Sequence, residues 1–266
     1  MELSSKGVRG FYQGKKQRLI ICGGFVCLLL AACGPKNART EPDREKEPQY
    51  LYEKAVVAMK YDLPDLALDF LRQALSLDPN HFPSQNLLGV VYHKKQNYQA
   101  AAEALRRALE INPNSSETHH NLGVVYQDMG LPDEAEKEYR KAVDLGYSQS
   151  LFLLARLLFE QKKYDEAFNF GLKATVVNPK DPAVYNLLGV LSNEKQDYRK
   201  AVTYLEKALH LSPGDPVVMV NLGIAYLNLG EKTEARQLLE KALSSIKDPA
   251  LLEKVKAWLN EIKLVP

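Results

Sequence analysis

Past residue 33 the sequence contains no cysteine: the three in the 266-residue chain are Cys22, Cys27 and Cys33. Everything downstream therefore lacks a disulfide, a thiolate nucleophile and a four-cysteine zinc site. An excess of one charge sign is missing too, with 35 Lys/Arg against 33 Asp/Glu. Five of those cations, Lys6, Arg9, Lys15, Lys16 and Arg18, precede Cys33 and face only Glu2, so the rest of the chain is close to neutral. Such a body has no field to hold a phosphate backbone, and nucleic acid is not an expected partner. The longest apolar run, residues 19–32, is 14 residues long, short of the roughly 20 that cross a bilayer. No G-x-x-x-x-G-K-[ST], G-x-G-x-x-G after a strand, H-E-x-x-H or G-x-S-x-G occurs. An enzyme, a metal, an organic cofactor and a small-molecule substrate are therefore not expected. What is present, 45% apolar and 26% charged residues, is the composition of a folded globular chain.

The basic start followed by the apolar run LIICGGFVCLLLAA has the order of a secretory signal. Leu30-Ala31-Ala32-Cys33 resembles the bacterial lipobox, which implies a signal peptide over 1–32 and acylation of Cys33, palmitate included, as the mature N-terminus. Each buried CH₂ contributes about 0.8 kcal/mol, so several acyl chains hold a protein firmly on a membrane. An ordinary signal peptide or an uncleaved short anchor are the alternatives. Gly34 follows in place of the Asp that resembles an inner-membrane retention signal, which favours the outer membrane, facing the periplasm. Residues 33–47 then read as lipidated Cys plus tether: GPKNARTEPDREKE has no large apolar residue and mixes both charge signs.

From residue 48 one unit repeats six times, at 48–81, 82–115, 116–147, 148–181, 182–215 and 216–249. The eighth place is always small: Ala55, Gly89, Gly123, Ala155, Gly189, Gly223. Alanine recurs at the twentieth place, from Ala67 to Ala235, and at the twenty-seventh, from Ala74 to Ala242. Antiparallel helices approach closely only where side chains are small, and glycine inside a helix costs about 1 kcal/mol unless packing requires it. Asp78-Pro79, Asn112-Pro113, Asn178-Pro179 and Ser212-Pro213 end repeats, because proline cannot continue a helix. The third repeat is two residues shorter and ends Leu145-Gly146-Tyr147, which predicts a left-handed Gly146. Leu251, Leu252, Val255, Leu259 and Ile262 give a capping helix in 250–266, with Trp258 packed on the last repeat. These features resemble the tetratricopeptide repeat. The resemblance implies an all-α, right-handed superhelical solenoid of six helix-turn-helix repeats plus a cap.

In that family the first helices line the concave face, at the fifth, sixth and ninth places. The candidate partner-binding groove is therefore Tyr52, Asn86, Val90, His120, Asn121, Val124, Phe152, Arg156, Asn186, Val190, Asn221 and Ile224. The asparagine amides both donate and accept, suiting them to an extended peptide backbone. The valines with Ile224 form either an apolar stripe for an amphipathic helix or part of the inter-helix core. His119 and His120 point about 100° apart, too far to share one metal ion, and only His120 is expected to face the groove. Asp133-Glu134 and Asp165-Glu166 are expected at helix starts, favoured by the dipole.

Anchor, tether and repeat count together resemble the pilotins, lipoproteins that assist type IV pilus biogenesis. The resemblance implies an assembly factor that escorts a secretin to the outer membrane. An envelope adaptor docking peptidoglycan hydrolases or synthases is the alternative, and an enzyme with an unrecognised site on the groove is the third.

Overall fold

The structure, a computed structural model, describes residues 46–263. The leader, Cys33 and the tether up to residue 45 lie outside the described residues, as do 264–266. Among the described residues there are thirteen helices and no strand. They are α1 (Pro48–Lys60), α2 (Pro64–Leu77), α3 (Phe82–Lys94), α4 (Tyr98–Ile111), α5 (Ser116–Asp128), α6 (Pro132–Asp144) and α7 (Ser150–Glu160). The rest are α8 (Tyr164–Val177), α9 (Pro182–Glu194), α10 (Tyr198–Leu211), α11 (Pro216–Leu229), α12 (Lys232–Leu243) and α13 (Pro249–Lys263). Proline opens five of the first eleven, at a position whose missing N–H would have no partner in any case. Asp78, Asn112, Asn178 and Ser212 close α2, α4, α8 and α10 just before the prolines that forbid another turn. No helix among the described residues is long and apolar enough to cross a membrane.

The described residues divide into two compact units, one ending at Ser84 and the other beginning at Gln85. In the first, α1 and α2 bury Leu51, Ala55, Ala67, Leu71 and Ala74, while Val56 and Val57 remain exposed. Tyr52 is half-buried and meets the His81 ring edge-on, with His81 Nδ1 2.8 Å from Ser84 Oγ.

In the second unit the helix pairs from α3/α4 to α11/α12 follow one another and α13 covers the end. The eighth-place residues are the closest approaches within pairs. A Cβ added at Gly123 would lie 2.7 Å from two ring carbons of Tyr139, and one at Gly189 would lie 2.3 Å from Leu205 Cγ. In the fourth repeat both places are small: Ala155 holds the eighth, and Gly171 stands at the twenty-fourth, where its equivalents are large, against Leu188 of the next repeat. Gly146 is left-handed, φ +89°, as its sequence context predicts. Its N–H donates to Val143 O and that of Tyr147 to Ala142 O, which closes α6 without proline. Across the α6–α8 junction Glu136 accepts from Arg140 (2.8 Å) and Lys163 (2.7 Å), and Arg140 also pairs with Glu166. Asp133-Glu134 and Asp165-Glu166 do fall in the first turns of α6 and α8. Val255 and Leu259 of α13 are buried with Met219, Val220, Leu239 and Ala242, and Trp258 packs against that cluster, as expected of a cap.

Candidate functional site: the inner face of the first helices

Side-chain hydrogen bonds in the second unit join consecutive first helices, and they recur in register. Thr118 Oγ1 donates to Asn86 Oδ1 at 3.0 Å, joining α5 to α3. His120 Nδ1 lies 2.9 Å from Ser150 Oγ, joining α5 to α7. Asn221 Nδ2 donates to Asn186 Oδ1 at 2.8 Å, joining α11 to α9. Two turns further along, His93 Nε2 sits 2.6 Å from Asp128 Oδ2, and Asn228 Nδ2 donates to Asn193 Oδ1 at 2.8 Å. The fifth place of one repeat thus meets the third or sixth of the next, and the twelfth meets the thirteenth.

Three of the four groove asparagines are therefore engaged through one atom each, while the half-buried Asn121 amide has no hydrogen-bond partner among the described residues. Val90 and Val190 are half-buried; Val124 and Ile224 are half-buried too and pack against core clusters, so the apolar stripe is shared between groove and core. Phe152 packs against the cluster around Leu154, Leu187 and Leu191. Arg156 is exposed, and its nearest acid is Glu160, with Nε 3.9 Å from Oε1. Tyr52 belongs to the first unit and is placed there alone.

The two histidines part as the helical angle requires. His119 turns inward and is 9% exposed, with Nδ1 2.6 Å from Glu138 Oε2 and Nε2 3.0 Å from Pro113 O. His120 lies between the rings of Tyr147 (4.9 Å) and Tyr139 (6.0 Å), and burial holds its pKa below the ordinary value, which favours neutral imidazole. Burial also pushes the Tyr139 phenol up, against the pull of the nearby Arg156 charge, and its hydroxyl donates to Gln127 Oε1 at 2.9 Å. No cluster of three or more metal-ligating side chains occurs among the described residues.

Two features escaped the sequence reading. Ser84, Thr118 and Ser150 are fully buried at the third place, and Thr118 and Ser150 anchor the polar groove residues of the preceding repeat. The signal was a hydroxyl recurring three times at one place. Among α10, α11 and α12, a depression of about 580 Å³ is lined by Leu209, His210, Tyr226, Leu238 and Lys241. There the Tyr226 hydroxyl donates to Glu206 Oε1 at 2.9 Å, and burial with that carboxylate pushes its pKa up to about 12. Nothing in the local sequence marks it.

An all-helical repeat with an inner face of exchangeable polar and apolar side chains defines an interaction scaffold. The pattern described as "Tetratricopeptide repeat" matches residues 114–175 and 193–259, and that described as "TPR repeat" matches 89–130. The chain belongs to the tetratricopeptide repeat family. Among solved structures it is similar to MamA, at 26% identity and TM-score 0.59, covering 61% of this chain and 90% of that one. It is similar to Pseudomonas aeruginosa PilF, at 27% identity and TM-score 0.55, covering 69% and 89%. PilW, described as a widely conserved type IV pilus biogenesis factor, shares the fold at 18% identity and TM-score 0.65, covering 78% and 97%. No curated protein matches the chain.

Proposed function

We propose that the chain is a lipid-anchored assembly factor for type IV pili, a pilotin. It holds a protein partner on the inner face of its first helices and escorts a secretin to the outer membrane. One observation carries the reading: likeness to PilF extends over 69% of this chain and 89% of that one at 27% identity. MamA is as similar by identity, and the lipobox-like Leu30–Cys33 behind a basic leader tips the balance toward an envelope protein. The face itself supports a peptide partner, because amides joined through one atom keep further donors and acceptors for an extended backbone.

The test combines fractionation with capture. Cys33→Ser is expected to move a folded protein from the membrane to the soluble fraction, and unchanged membrane retention would count against acylation as the anchor. Tagged protein from detergent-solubilised envelopes is expected to recover a secretin, and the Asn121→Ala/Asn221→Ala double variant to lose it at unchanged helicity. Recovery of peptidoglycan hydrolases or synthases without a secretin would replace this reading with the cell-wall adaptor.

A further inference from the structure

Along the inner face of the second unit the ninth place carries Val90, Val124, Val190 and Ile224 in four repeats, with Asn186/Asn193, Asn86/His93 or His120/Gln127 at the fifth and twelfth places of three of them. The fourth repeat inverts this order. Its α7 presents Phe152, Arg156 and Phe159 at the fifth, ninth and twelfth places, which helical geometry stacks on one stripe. Both phenylalanines are half-buried and pack against the cluster around Leu154, Leu187 and Leu191, so their positions are fixed by the core. Arg156 between them is exposed, and its one acidic neighbour, Glu160, is 3.9 Å away, too far for a hydrogen bond. Among the first helices of this unit, Lys94 at the end of α3 is the only other Lys or Arg. A single guanidinium flanked by aromatic rings attracts a carboxylate more strongly than one in open water, because the rings displace solvent around the pair.

We propose that this stripe sets the specificity of the groove, selecting a partner segment that carries a carboxylate between apolar residues. The carboxylate meets Arg156 and the apolar neighbours lie over Phe152 and Phe159. The inference rests on the inner face being the partner-binding surface. Asn121 on α5 and Asn186 on α9, the first helices on either side, the latter paired with Asn221 of α11, grip the backbone without regard to sequence. The carboxylate is an Asp or Glu side chain, because apolar residues flank it on both sides and a chain terminus has a neighbour on one side only.

Panning random twelve-residue peptides, displayed with blocked and with free C-termini, against wild type, Arg156→Gln and Arg156→Glu tests this. Wild type is expected to enrich Asp or Glu flanked by apolar residues. Enrichment only in the free-terminus library would assign the carboxylate to a chain end and overturn its placement between two apolar residues. Arg156→Gln is expected to lose the acidic preference, with the best wild-type peptide bound roughly 10- to 150-fold more weakly, the range of a charge-assisted hydrogen bond. Arg156→Glu is expected to enrich Lys or Arg in place of acids. Arg156 is exposed, so circular dichroism of both variants should match wild type. Enriched peptides without an acid, or an acidic preference that survives Arg156→Gln, would overturn this inference and leave the groove reading standing. Failure of any peptide to enrich would overturn both.

Discussion

At His120 the cost of burial falls on the protonated ring. Its ordinary pKa is 6.5 and burial lowers it in the folded chain, so below pH 6.5 the unfolded chain takes up a proton that the folded chain refuses. Above that value both states are neutral and nothing changes. Stability is therefore expected to fall as the pH drops below 6.5 and to level off beneath the folded-state value. His120→Gln keeps a polar group for Ser150 and removes the titration. Urea midpoints of the two proteins, measured from pH 8 to pH 5, should diverge only on the acid side; a constant difference would mean that burial does not bias the ring. The side chains packed around His120 (Tyr139, Tyr147 and Ser150) carry no acid that would compensate.

Each helix-turn-helix uses the same backbone device. The fifteenth place of all six repeats is left-handed: Asp62, Gln96, Gly130, Lys162, Gln196 and Gly230. Four of these carry a Cβ, for which the conformation costs roughly 1–2 kcal/mol, against about 0.5–1 kcal/mol of extra chain entropy lost by glycine. Lys162→Gly is thus expected to gain up to about 1 kcal/mol and Gly130→Ala to lose about 1 kcal/mol, read from chemical unfolding midpoints. Gly130 has nothing within 4 Å of an added Cβ, so any loss there reports the backbone alone. The turns illustrate what a sequence reveals. Prolines after α2, α4, α8 and α10 and the small eighth, twentieth and twenty-seventh places announce themselves, because only those residue types satisfy the constraint. Lysine and glutamine do not announce positive φ, since the surrounding Schellman bonds impose it on whatever residue is there. Gly171 escaped for a related reason: a close approach needs one small partner, and which helix supplies it is decided by packing against Leu188. The inner face was legible as a set of places. Its pairing was not, because whether Asn221 reaches Asn186 depends on the offset between helices 35 residues apart.

At the scale of the whole molecule, stability in a repeat array is a sum of local terms, and an end repeat has one neighbour where inner repeats have two. The end of the second unit rests on α13, whose Val255 and Leu259 cover Met219, Val220 and Leu239. Trp258, the single tryptophan, sits in that contact. Its fluorescence is expected to change at lower urea than the helical circular dichroism signal, and ending the chain at Asp248 should lower the thermal midpoint and promote aggregation through the uncovered cluster. Coincident fluorescence and dichroism transitions would instead make the cap part of one cooperative unit.

The amide pair between Asn186 and Asn221 has a symmetry of its own. Each primary amide carries two donors and an oxygen with two lone pairs, and one shared bond leaves the pair with both functions to spare. If both amides turn over together, the shared bond runs the opposite way and the outward edge still offers a donor and an acceptor. A strand laid across it finds partners whether it runs from N to C or from C to N. That stretch of the face is blind to chain polarity, and an orientation imposed on a guest would have to come from an asymmetric landmark such as Arg156.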